Sequence, residues 1–193
     1  LHHPRVYERV TSEIRAAFPA TSRPIPYAEA RQRLPYLTAV VYESMRLNPA
    51  VSGMLPRSAP WDGATIQGKF IPSRTQICVS IDACHRNPRT WPNPDAFDPE
   101  RFLGENAEVR MKDIIAFSSG VRVCIGRNLA WMQIYSVLAN ILRKYDFALP
   151  TDAAYGPHRT NSEGVPVAIP AVSFIVTGPA NPKRDCLVNI SAY

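Results

Sequence analysis

Nineteen of the 193 residues are proline, about twice ordinary usage, and that density limits what the chain can fold into. Proline has no amide proton and its ring clashes with the preceding turn, so a helix admits it in the first turn and not in its interior. The chain must then alternate helices with long ordered stretches that carry the prolines. Hydrophobic residues make up 46% of the sequence, enough for a core and too many for a disordered tail. Neither a repeat nor a collagen-like period is present.

Residues 4–18 place Val6, Val10, Ile14 and Phe18 at helical spacing behind Pro4, which predicts an amphipathic helix. Pro19, Pro24 and Pro26 make a broken loop, and Pro35 opens a second predicted helix that runs to Leu47. Asn48-Pro49 ends it, because a residue before proline avoids the helical region. Val40, Glu43 and Leu47 share one row of that helix, so an acid stands among apolar neighbours. From Val51 to Ile81 the pattern changes to short strands, with turns at Asp62-Gly63 and Gly68 and strand-like alternation over residues 76–81. Between Asn87 and Phe102, Pro88, Pro92, Pro94 and Pro99 predict an ordered, meandering coil. Apolar positions 130, 134, 137, 138, 141, 142 and 145 predict a long helix from Ile125 to Tyr145, and the tail after Pro150 reads as loops and short strands.

The formal net charge is +6, with 18 Arg but only 4 Lys. Arginine serves where a planar fork meets a carboxylate in fixed geometry, so the excess predicts buried ion pairs rather than diffuse attraction to phosphate. No basic run reaches five residues and no nucleic-acid-binding motif occurs, which leaves a basic structural or nucleic-acid-binding role resting on pI alone. The longest mostly apolar stretch, Val165–Val176, is interrupted by Pro166, Pro170 and Ser173 and is shorter than the roughly 18–20 residues of a spanning helix. No charged-then-apolar signal segment follows Leu1, and Cys78, Cys84, Cys124 and Cys186 form no Cys-x-x-Cys pair, so a disulfide framework is not expected. Cys78, Cys84 and His85 likewise lack the second ligand pair of a zinc finger.

The segment from Phe117 to Gly126, FSSGVRVCIG, sets Cys124 directly ahead of the long predicted helix. A thiolate there faces the positive end of the helix dipole and unpaired amides, which favour an anion able to bind a metal. Gly120 and Gly126 permit tight turns and close approach of the backbone to a flat ligand, Arg122 suits a carboxylate on that ligand, and Phe117 is placed to pack beside the sulfur. Each residue alone also has an ordinary reading, since a solitary buried cysteine is usually a small hydrophobe. Together they resemble the haem-binding signature FxxGxRxCxG of the cytochrome P-450 family, with Phe117, Gly120, Arg122, Cys124 and Gly126 in register. Ser118, where many members have glycine, is similar to the FSSG of fungal-type microsomal members. Glu43-x-x-Arg46 resembles the family's ExxR pair, and Pro99-Glu100-Arg101-Phe102 its PERF element, whose arginine joins that pair. Arg101 lies 55 residues after Arg46, and Cys124 a further 23, intervals that suit the family's meander.

The resemblance implies a mainly α fold with small β-sheets (α+β), in which residues 1–193 are the C-terminal portion of a single domain whose N-terminal half is absent. It implies a haem with the thiolate of Cys124 as axial iron ligand. Phe117, Gly120, Arg122, Gly126 and Arg57 would also contact the haem, Arg57 at a propionate, and no separate catalytic side chain is assigned. Glu43, Arg46 and Arg101 are implied as a structural ion cluster. The implied activity is a monooxygenase that inserts one atom of O2 into a small apolar organic substrate, with electrons from an NADPH-dependent flavoprotein reductase. Its implied setting is secondary metabolism, at the cytosolic face of the endoplasmic reticulum membrane. Val51–Leu55 correspond to a stretch that lines the substrate pocket in relatives. Arg110, Lys112, Arg127, Arg143 and Lys144 are candidates for a positive face toward an acidic reductase. The rival reading is a non-catalytic haem-binding fragment or module. The 193-residue chain alone is expected to be inactive, because it shows no counterpart of the relatives' oxygen-activating helix.

Overall fold

The computed structural model describes residues 1–173 and 176–193; Phe174 and Ile175, inside the apolar stretch Val165–Val176, lie outside the described residues. Helix α1 spans Pro4–Ala17 and α3 spans Pro35–Leu47. Each has proline in its first turn, where an amide would have had no intrahelical partner anyway. The proline-rich loop between them holds a further helix, α2, Tyr27–Arg33. Only Ala30 of its seven residues is buried, so no apolar row announces it in the sequence.

Val10, Ile14 and Phe18 share one core with Leu34, Leu37 and Val41 and with Tyr135 and Ala139 of α6, Arg127–Lys144. Fully burying a side chain such as Ile14, Leu34 or Leu37 contributes roughly 1.5–3 kcal/mol. The start of α3 is capped from α1: the carboxylate of Glu13 accepts the amides of Tyr36 and Leu37 at 2.7 and 2.9 Å. Burial raises the Glu13 carboxyl above its ordinary value, and these two donors act in the opposite direction.

Helix α6 is fastened to the proline-rich loop. Asn140 accepts the amide of Ile25 at 2.8 Å and donates to the Ile25 carbonyl at 3.2 Å, and Arg143 donates to the carbonyls of Ala20 and Arg23 at 2.7 and 2.8 Å. Arg143 is therefore buried and cannot belong to the positive face expected of it. Its guanidinium is spent on loop carbonyls that have no other donor among the described residues, a use of arginine beyond the expected ion pairs.

The strands form small antiparallel ladders among the described residues. Strand β1 (Arg57–Ser58) pairs with β4 (Gln76–Ile77), and β2 (Ala64–Ile66) pairs with β3 (Lys69–Ile71). Strand β5 (Tyr145–Ala148) pairs with β8 (Asn189–Ala192), and β6 (Ala171–Ser173) with β7 (Thr177–Pro179). The strand expected over 76–81 is broken after Ile77; Ser80 makes an isolated antiparallel bridge with Met54, and its side chain caps helix α4, Ile81–His85, accepting the Ala83 amide at 3.2 Å. The helix expected from Ile125 to Tyr145 starts at Arg127, and Tyr145 has passed into β5. Two further short helices, α5 (Ala107–Lys112) and α7 (Pro182–Asp185), fall in segments without a predicted helix. The result is the expected class, mainly α with small β-sheets. No helix among the described residues is long and apolar enough to cross a membrane.

Candidate functional site

Glu43 and Arg46 lie one turn apart on α3 and are fully buried. Arg46 donates through Nε and Nη2 to the two carboxylate oxygens of Glu43 at 2.7 and 2.8 Å. Its Nη1 donates to the carbonyls of His85 and Pro94 at 2.9 and 2.6 Å, and Nη2 also to Ala96 at 2.9 Å. All five guanidinium protons are thus committed. Glu43 accepts the Asp98 amide at 2.7 Å as well, and Arg101 Nε lies 3.4 Å from Glu43 Oε1. Arg101 spends its other nitrogens on the carbonyls of Pro92 and Asn93 at 2.6 and 2.9 Å. The structure therefore brings Glu43, Arg46 and Arg101 together, with the meander wrapped over them and the buried Trp91 ring 5.5 Å from the Arg46 guanidinium. Carbonyl oxygens at 92–96 offset the second positive charge, which is how two arginines can share one buried acid.

His85, the last residue of α4, is also fully buried. Its Nε2 accepts the amide of Ile115 at 2.9 Å, and its carbonyl is one of those held by Arg46. Its Nδ1 is buried with no hydrogen-bond partner. Burial lowers the imidazole below the ordinary histidine value, the Arg46 charge adding to this while the backbone carbonyls of Arg46 and Met45 oppose it. This placement could not be read from the sequence, where His85 stands out only beside Cys78 and Cys84, because its partner is a backbone amide with no side-chain signature.

Beyond Ile115 the chain makes the cysteine loop. Ser118 donates its amide to the Ile115 carbonyl at 2.8 Å, and Cys124 donates its amide to the Phe117 carbonyl at 2.8 Å, which closes the loop. Ser118 and Gly120 both have positive φ, 62° and 66°. Glycine takes this conformation freely whereas serine bears about 1–2 kcal/mol of strain, so Ser118 occupies a glycine-like position. Gly126 is the N-cap of α6, whose first turn carries no acid, so the positive end of the helix is not cancelled where Cys124 approaches it. A Cβ on Gly126 would sit 3.8 Å from Cys124 Sγ, an ordinary contact; no crowding within the chain demands glycine there.

Cys124 is a free, exposed thiol. Val121 and Ile125 on either side of it are fully exposed, 100% and 104%, an arrangement that gives an apolar ring a surface to lie on. No group of three or more Cys, His, Asp or Glu side chains able to hold an ion exists among the described residues. A soft thiol of this kind could hold a metal that brings its other ligands with it. Arg122 and Arg57 are exposed and without an acidic partner among the described residues; Arg57 donates to the carbonyl of Pro56 at 3.0 Å. Both can take a ligand carboxylate, though no hydrogen bond joins Arg57 to the cysteine loop. Phe117 packs toward Trp131, ring centres 6.3 Å apart.

A cavity of about 810 Å³ opens beside the loop, between α3, α5 and α6. Phe117, Gly120, Val123 and Trp131 line it, Cys124 does not, and Arg31, Lys112 and Arg127 give it positive charge. Lys144 stands at the other end of α6, roughly 25 Å from Arg127 by helical rise, so the two do not form one patch.

A family model described as Cytochrome P-450 matches residues 1–174. Two cytochrome P-450 monooxygenases of Aspergillus fumigatus, helB1 and helB2, are 40% and 39% identical to 99% and 98% of this chain. The chain covers 32% and 36% of their lengths, so it spans about a third of these curated relatives. A solved zebra fish cytochrome P-450, in a structure with abiraterone, superposes on all of the chain and 41% of its own with a TM-score of 0.80 and 29% identity.

Proposed function

The chain belongs to the cytochrome P-450 family, and from that premise we propose that it is the thiolate-bearing, C-terminal portion of a haem monooxygenase domain. The chemistry that a thiolate-held haem supplies when bound is reductive activation of O2: one oxygen atom enters an organic substrate and the other leaves as water, with two electrons and two protons consumed. Cys124 provides the thiolate, and the closed loop between Phe117 and Cys124 fixes its direction. Arg122 and Arg57 would take the carboxylates of the tetrapyrrole. Val121, Val123 and Ile125 would exclude water beside it. Glu43, Arg46 and Arg101 hold the meander and through it the loop, a structural role.

Electrons come from an NADPH-dependent flavoprotein reductase, for which the positive residues Lys112 and Arg127 beside the loop are the docking candidates. The substrate is a small apolar organic molecule of secondary metabolism, and the enzyme works at the cytosolic face of the endoplasmic reticulum membrane. The observation that carries this reading is the exposed Cys124 thiol on a pinned loop at the start of α6, with exposed apolar neighbours on either side. It is tested by Cys124→Ala. The reduced, carbon-monoxide-treated haem protein is expected to lose its strongly red-shifted Soret band and its incorporation of ¹⁸O from ¹⁸O2 into product. Retention of the red-shifted band in the variant would overturn the assignment.

A further inference from the structure

We infer that His85 is a positioning residue for the cysteine loop, acting through its Nε2 hydrogen bond to the Ile115 amide; this rests on Cys124 being the ligand. Among the described residues, that bond is the only hydrogen bond by which residues 115–119 are held to any element earlier in the chain; the amides of Asp113 and Ile114 only close the end of α5 on Arg110 and Met111. Ile115 then passes the constraint on: its carbonyl takes the Ser118 amide at 2.8 Å, and the Phe117 carbonyl takes the Cys124 amide at 2.8 Å. At the other end the carbonyl of His85 is gripped by Arg46 at 2.9 Å. A continuous series of short contacts therefore joins the buried ion cluster to the residue that carries the thiol.

The geometry also fixes the state of the ring. An Nε2 that accepts an amide proton has none of its own, so the proton of the neutral imidazole sits on Nδ1. Nδ1 is buried and makes no hydrogen bond of good geometry among the described residues, although the backbone carbonyls of Met45 and Arg46 lie near enough to favour its proton. The fold thus keeps the Nε2 acceptor aimed at Ile115, which is what a brace requires and what mere filling of space does not. An apolar side chain would fill the volume and leave the backbone carbonyl of residue 85 in the grip of Arg46, but the Ile115 amide would lose its acceptor.

The test compares His85→Leu with His85→Gln in the haem-loaded protein, because glutamine carries an acceptor oxygen close to where Nε2 stands. In His85→Leu the Ile115 amide is expected to exchange with solvent at least tenfold faster, and the reduced, carbon-monoxide-treated protein to lose part of its thiolate band. His85→Gln should recover both. A leucine variant with unchanged Ile115 exchange or an undiminished thiolate band overturns the proposal, and so does a glutamine variant that behaves like leucine. If the leucine variant does not fold, nitrogen-15 shifts of His85 in the unmodified protein decide: a protonated Nδ1 and unprotonated Nε2 support the brace, and any other state refutes it. Failure of the ligand reading would show separately, as a thiolate band that survives Cys124→Ala.

Discussion

Replacing Arg46 by lysine keeps the charge and loses the fork. Five donors in one plane become three on a point, and the side chain can no longer meet both Glu43 oxygens and three carbonyls at once. At least two charge-assisted bonds vanish inside the protein, at about 1.5–3 kcal/mol each. Arg46→Lys should therefore lower unfolding stability by about 3 kcal/mol or more in urea titrations, and a loss below 1 kcal/mol would mean that the carbonyls find other donors. The oddity of Glu43 was legible because a charge in an apolar row demands a partner, and Arg46 is the residue at the right spacing. What completes the site was not: the acceptors at residues 85, 94 and 96 are backbone carbonyls, which every residue has. Arg143 shows the same limit, since a basic residue near a helix end reads as surface until the carbonyls of Ala20 and Arg23 are seen to enclose it.

Among the elements, α3 depends on a neighbour for its beginning. Its own N-cap position is Leu34, which offers no side-chain acceptor, and Pro35 has no amide to satisfy; the amides of Tyr36 and Leu37 go to Glu13 of α1. Glu13→Ala should cost about 1–2 kcal/mol at neutral pH, in line with loss of a good cap, and unchanged stability in chemical denaturation would remove Glu13 as the cap. Because burial raises the Glu13 carboxyl, the folded state holds that proton more tightly than the unfolded chain does. The stabilisation from this shift is complete below the ordinary carboxylate range and is lost as pH rises through the raised value. Helices α1 and α3 could be read from periodicity and proline placement. α2 could not, since packing supplies what its polar sequence lacks, and the strand alternation over 76–81 hid a change of element, because Ser80 pairs with Met54 through its backbone while its side chain begins a helix.

At the scale of the molecule, the core on one side of α6 is complete while its other side is open. Tyr135 and Ala139 are buried, whereas Leu129, Met132, Val137 and Ile141 are exposed. These exposed apolar side chains, although Gln133 and Ser136 lie among them, invite association, so the 193-residue chain alone should sediment as a concentration-dependent mixture, and a monomer across the micromolar range would contradict this. The sequence showed that α6 is apolar but not that it has two apolar sides, because periodicity reports a row without reporting what covers it. The class of fold and the cysteine loop were legible from motif spacing; the brace at His85 was not. Arg46 also has a meaning in time. The carbonyls it gathers lie 39, 48 and 50 residues along the chain, and closing such loops costs entropy that is recovered only when the last contact forms. We expect the meander to order only once α3 and α4 have met, and the cysteine loop, which hangs from His85, no earlier than that contact. Pulse-labelled exchange during refolding would then show the Ile115 amide protected no sooner than the core of α3, and a ligand arriving before that would meet a thiol still free to turn away.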